Sequence, residues 1–298
     1  MASSTRVSAM SEAVLAVPAS PLVWRRFRRH RLAQASIGLL VAVTAACMAA
    51  PLLAPYGFDA IDLSSIRQPP SFEHLMGTDD LGRDLFTRLL YGGRVSILIG
   101  VLAAVIGTGL GSLIGAIAGF YGGRLDNLLM RLTDVASSIP TLPLLIVLGS
   151  YTQSAVVSMA AILGLLSWMA TARVVRGEVL TIRELPYIEA ARGIGATGAR
   201  ILARHVLPNT IGPIIVGATL AVGNAIILES SLSFLGLGVQ PPIPTWGNML
   251  QDAQATMATK PWLTIFPGLA ILGVVLAINF LGDGLQDALD PRANTGRA

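Results

Sequence analysis

The chain has 298 residues, 53% of them hydrophobic and 13% charged, with a formal net charge of +4. So few charges exclude an ordinary soluble domain of this length and leave room for several membrane spans in one domain. The positive charge rests on twenty arginines and one lysine, Lys260, and the single cysteine, Cys47, excludes an intrachain disulfide and a two-cysteine metal site.

Residues 1–31 are polar and end in Arg25, Arg26, Arg28, Arg29, His30 and Arg31. The apolar run 32–54 exceeds the roughly 20 residues that cross a bilayer, and arginines just before a span hold that end in the cytoplasm. The long leader and the later apolar runs oppose a cleaved signal peptide. Thr44, where a lipoprotein signal ending at Cys47 would carry an aliphatic residue, opposes that reading too.

Residues 55–94 form the first external loop. Within it Leu81, Leu85, Phe86, Leu89 and Leu90 share one helical face. The spacing predicts an amphipathic helix, either lying on the outer membrane surface or packed on the domain's own top, capped by Thr78 or Asp79, with Asp84 and Arg88 paired four residues apart. The second span, 95–123, is free of charge. Its Gly107, Gly111 and Gly115 lie four apart, a spacing that lets helices approach closely in lipid. A short inner turn holds Arg124, Asp126, Arg131 and Asp134, and 135–172 then carries no charge. That length gives a third span at 128–150, kinked by Pro140 and Pro143, and a fourth at 154–172. For Asp134 there are two roles, an ion pair with Arg131 or another arginine, or a place on a solute path.

The longest polar break of the second half is 173–208. It interleaves Arg173, Arg176, Arg183, Arg192, Arg200 and Arg204 with Glu178, Glu184 and Glu189. Its grammar is helix, break, helix. Pro186 opens a helix, Gly193, Gly195 and Gly198 interrupt it, 199–207 resumes apolar spacing, and Pro208-Asn209 closes the loop and opens the next span. A fifth span follows at 210–232, with Glu229 near its outer end, either paired within the fold or facing a solute path. A second external loop, 236–260, precedes the sixth span, 261–281, and Trp246 and Trp262 are expected as interfacial anchors. Internal segments then hold sixteen arginines against five basic residues outside. Six spans place both termini and the loop 173–208 in the cytoplasm.

Glu189-Ala190-Ala191, then Gly195, then Leu207-Pro208 resemble the EAA loop of ABC importer permeases. The fuller string EAARGIGATGARILARHVLPN, with GTDDLGRDLFTRLLYGGRVSI and ESSLSFLGLGVQPPIPTWGNML, is similar to the dipeptide/oligopeptide/nickel group. The resemblance covers most of residues 24–291 and is closest to the second, C-type permease of the pair. It implies an all-α integral membrane protein of six transmembrane helices, with the type I importer fold and cytoplasmic EAA coupling helices. It implies a bacterial inner-membrane location, a second homologous permease subunit, two cytoplasmic ATP-binding subunits and an extracytoplasmic solute-binding protein. ATP and magnesium would be bound by those partners, and this chain would hold no cofactor, metal or nucleic acid. Glu189, Ala190, Ala191, Arg192, Gly193, Gly195, Leu207 and Pro208 would carry coupling to the ATPase, with Glu229 and Asp134 as candidates for the path. The implied division is a tail at 1–31, the first helix and loop at 32–94, a core at 95–285 and a tail at 286–298.

The chain's own chemistry agrees with a passive subunit. It has no GxxxxGK[ST] phosphate loop and no GxSxG, and His30, His74 and His205 lie far apart. An ion-driven carrier would need intramembrane charges as relays, and only Asp134 and Glu229 qualify. Peptide is the first expectation for the solute, with nickel or another small solute behind it.

Overall fold

A computed structural model describes residues 24–25, 27–28, 30–151 and 156–289. The expected tails lie largely outside these, as does the expected start of the fourth span at Ser154. The described residues are helical, without a β-strand. In chain order the helices are α1 Arg31–Met48, α2 Ala50–Leu53, α3 Leu85–Tyr121, α4 Gly123–Ser138, α5 Thr141–Tyr151, α6 Val156–Leu165, α7 Trp168–Ile182, α8 Pro186–Gly193, α9 Gly198–Ile201, α10 Leu207–Phe234, α11 Trp246–Ala253 and α12 Trp262–Leu289.

Four of these segments are long and apolar enough to cross a membrane, with α9 and α10 counted as one continuous helix, and there are up to six if each of two bent pairs is one span. The first bent pair joins α4 and α5 at 81°. The break falls at Ile139–Pro140, where Pro140 has no N–H to continue the ladder and biases Ile139 to extended backbone. Pro143 sits inside the first turns of α5 and adds no further break. The second pair, α6 and α7, bends by 45° around Leu166 and Ser167.

The centre of the bundle is α3, which packs most extensively against α7, then against α10 and α6. Glycine decides the closest contact. A Cβ on Gly111 would lie 2.5 Å from the carbonyl oxygen of Trp168, and one on Gly115 would collide with the carbonyl oxygen of Ala172. Backbone cannot yield as a flexible side chain does, so Gly115→Leu is expected to destabilise by at least the 1–3 kcal/mol of ordinary overpacking. Gly109, with nothing within 4 Å of its Cβ position, should accept leucine with little change. Thermal unfolding of the two variants in detergent checks the contrast, and equal melting would contradict the close packing.

Four expectations are corrected. The outer amphipathic helix and the second span are one continuous helix of 37 residues, so a boundary at 94/95 falls inside it. Its cap is neither Thr78 nor Asp79. Asp84 is the N-cap, accepting from the Thr87 N–H at 2.8 Å, and with its other oxygen it meets His74 Nδ1 at 3.0 Å. Asp84 is therefore not free to pair with Arg88. The inner turn at 124–134 is a helix of 16 residues, because its apolar and polar side chains alternate at helical rather than turn spacing.

Trp246 is also not an interfacial anchor. It is 1% exposed, inside a cluster with Cys47, Leu85, Met249 and Leu263, and its indole N–H donates to the Leu89 carbonyl at 3.0 Å. A buried indole needs such a partner. The capping box of Thr245 and Asn248 fixes α11 beneath it.

Candidate functional site

The polar hairpin is shorter than 173–208. Helix α7 continues to Ile182, so Arg173, Arg176 and Glu178 stand on the end of a membrane helix rather than in a loop. Two ion pairs tie this end to α4. Arg176 donates through Nε and Nη2 to Asp126 at 2.5 and 2.7 Å, and Arg173 reaches Asp134 at 3.1 Å. The first is bidentate and partly sheltered. The second is exposed on both sides and contributes little.

Leu185 turns the chain, and α8 begins with Pro186 in its first turn and Glu189 close behind. Its end is a Schellman closure. Gly195 adopts φ +83°, its N–H donates to the Arg192 carbonyl at 2.9 Å, and the Ala196 N–H donates to the Ala191 carbonyl at 3.1 Å. That geometry calls for a residue without a Cβ at 195. Nothing lies within 4 Å of where the Cβ would be, so the requirement is conformational.

Ile188 and Ala191 are buried with Ala116, Phe120, Val175, Val179, Ile182, Ile201 and Val206. They seat α8 on the ends of α3 and α7. Arg192 lies over the Phe120 ring at 5.9 Å. Glu189, Ala190, Arg192, Gly193 and Gly195 are exposed. Of the eight residues expected to act together, Ala191 is therefore a packing residue. Leu207 is half-buried and Pro208 exposed in the first turn of α10, so Pro208 opens that helix, as expected where the loop ends. A five-residue π-helical segment, Leu202–Val206, joins the hairpin to α10. Sequence reading missed Ile194. It is 87% exposed between two glycines at the tip of the knob, and an apolar residue so bracketed is the signal that identifies it.

Glu229 sits elsewhere, toward the other end of α10, and is 0% exposed. Its carboxyl accepts from Ser233 at 2.7 Å, Ser96 at 3.3 Å and Ser230 at 3.4 Å. Ser96 in turn accepts from the Trp246 N–H at 3.2 Å. The group thus joins α3, α10 and the start of α11 through hydroxyls. Asp134, at 62% side-chain exposure, is held by Arg173 near the hairpin end.

At the same end as Glu229 the loop before α3 is held by a buried ionic cluster. Asp79 accepts from Arg83 Nε at 2.7 Å and Arg88 Nη1 at 2.6 Å. Asp252, on α11, is 3.3 Å from Arg88 and 3.4 Å from Arg83. Burial pushes the Asp252 carboxyl above the usual aspartate range, against the pull of Arg88 and Arg83.

The described residues form an all-helical body with four to six candidate membrane spans and an exposed polar hairpin at one end, the build of a multi-pass membrane protein. The comparisons agree. Residues 111–295 match the family described as binding-protein-dependent transport system inner membrane component. Residues 20–70 match the N-terminal TM domain of oligopeptide transport permease C. A protein of Brucella suis biovar 1 that bears a peptide permease name is 44% identical over 98% of this chain and 99% of its own. A similarly named Brucella ovis protein is 43% identical with the same coverage. The glutathione transport system permease protein GsiD of Escherichia coli O6:K15:H31 is 43% identical over 90% of this chain and 89% of its own. The chain belongs to the family of inner membrane components of binding-protein-dependent transport systems. It is an ABC importer permease subunit of the peptide/oligopeptide type.

Proposed function

We propose that this chain is one of two unlike permease subunits of an ATP-driven importer of peptides. It lies in the inner membrane with both termini and the hairpin in the cytoplasm. Two ATP-binding subunits grip the hairpins from below, binding ATP and magnesium themselves, and a solute-binding protein delivers the peptide from the other side. The observation that carries this reading is the closed α8 knob, seated by Ile188 and Ala191 on the bundle and presenting Glu189, Arg192 and Ile194 outward. A knob so seated transmits a push to α3 and α7 as a rigid body, which a loose basic loop could not do. The peptide names of the relatives and the name of the glutathione relative, itself a tripeptide permease by that name, support the solute class.

The test is reconstitution of the whole assembly in vesicles, with peptide uptake followed under ATP alone and under a proton gradient alone. Uptake that needs ATP and the ATP-binding subunits is expected. Uptake driven by the proton gradient without ATP would replace this reading with an ion-driven carrier.

A further inference from the structure

A cavity of about 240 Å³ opens between the α6–α7 bend and α10, and its polar side chains are Ser167, Thr171 and Asn224. Four features set it apart. Asn224 is the 18th of the 28 residues of α10, about 15 Å along the helix from its outer end and so close to the middle of a hydrocarbon core about 30 Å thick. Its amide is exposed and makes no hydrogen bond within the described residues, and an amide at that depth facing lipid would cost several kcal/mol. The opposite wall is the 45° break between α6 and α7, with Ser167 in the break, and Pro213 of the unbroken α10 lies at the cavity's edge. Interrupted helices at mid-membrane are where transporters place solute sites, because irregular backbone there lines water or ligand. Finally, no charged side chain lines the cavity, while Gly217 and Ala221 keep the α10 wall low.

Resting on the import reading above, we infer that Asn224, with Thr171 and Ser167, is this chain's contact with the main chain of the passing peptide. A primary amide donates and accepts at once, as a peptide group does. A wall without charge neither selects nor rejects solutes by the charge of their side chains. The site therefore reads uncharged peptide groups rather than termini or acidic and basic side chains.

The test uses the assembled transporter in vesicles. Asn224→Cys should be modified by a small hydrophilic maleimide, read by peptide mapping so that the 3%-exposed Cys47 does not interfere. Saturating dialanine should slow the modification severalfold. Asn224→Asp should shift competition between an acidic and a basic dipeptide about tenfold in favour of the basic one, the size of one added charge at contact distance in a wet site. Both variants should keep the second permease subunit and the ATP-binding subunits. Failure of the reagent to reach position 224, modification indifferent to peptide together with unchanged selectivity, or loss of the second permease subunit would overturn the inference, the last showing that a partner helix covers Asn224. These readouts are separate from the energy source. ATP-driven uptake with an inert position 224 sinks the inference alone, whereas proton-driven uptake with a peptide-protected position 224 sinks the import mechanism alone.

Discussion

Asp79→Ala is expected to cost about 3–5 kcal/mol of stability, because it strands two guanidinium groups, those of Arg83 and Arg88, that are 8% and 2% exposed. The same carboxylate also accepts the backbone N–H groups of Leu81 and Arg83 at 2.9 Å, so the loop that leads into α3 loses its turn as well as its charge balance. Asp252 does not compensate. Its contacts to the two arginines are longer, at 3.3 and 3.4 Å, and burial already opposes its ionised form. Asp252→Asn should accordingly cost less than half as much. Thermal unfolding of the purified subunit pair measures both, and an Asp79→Ala protein that melts with the wild type would show that the cluster is not closed as described.

The second large effect concerns the hairpin. Glu189→Arg and Gly195→Trp are each expected to abolish co-purification of the ATP-binding subunits and to reduce uptake to background, with the protein still in the membrane. For Gly195 the structure separates two costs. An L side chain at φ +83° carries about 1–2 kcal/mol of backbone strain, but the open space around the site means that the indole meets nothing within this chain. Gly195→Ala therefore isolates the strain and should retain most binding, while tryptophan adds bulk on the face offered to a partner. Ile194→Ser should cost about 2 kcal/mol of binding, as an exposed apolar anchor at the centre of a contact does. Full association of ATP-binding subunits with Glu189→Arg, Gly195→Trp and Ile194→Ser would remove the hairpin from the coupling path.

The hairpin was legible in the sequence because its determinants are local. Pro186 at a helix start and glycine at a left-handed closure are set by backbone sterics within a few residues. Apolar runs likewise declared the spans, and Pro140 declared a break that proved to be 81°. The span count itself depends on whether each bent pair crosses as one unit, which length and composition alone leave at four to six.

What the sequence by itself determined is an apolar helical body, its glycine-lined close contact and its polar hairpin, since hydropathy, small residues and turn chemistry act over one or two helical turns. Only the tertiary structure decided which polar groups meet. Asp84 and Arg88 stand at pairing distance along the helix, yet Asp84 caps α3 and Arg88 turns to Asp79 and to Asp252, 164 residues away. Glu229 likewise finds Ser96 across 133 residues, and the partly sheltered Arg176 finds Asp126 across 50. A buried charge or amide takes its partner from whichever helix packing brings alongside, and that choice is made by the fit of α3 against α7 and α10, not by spacing along any one of them.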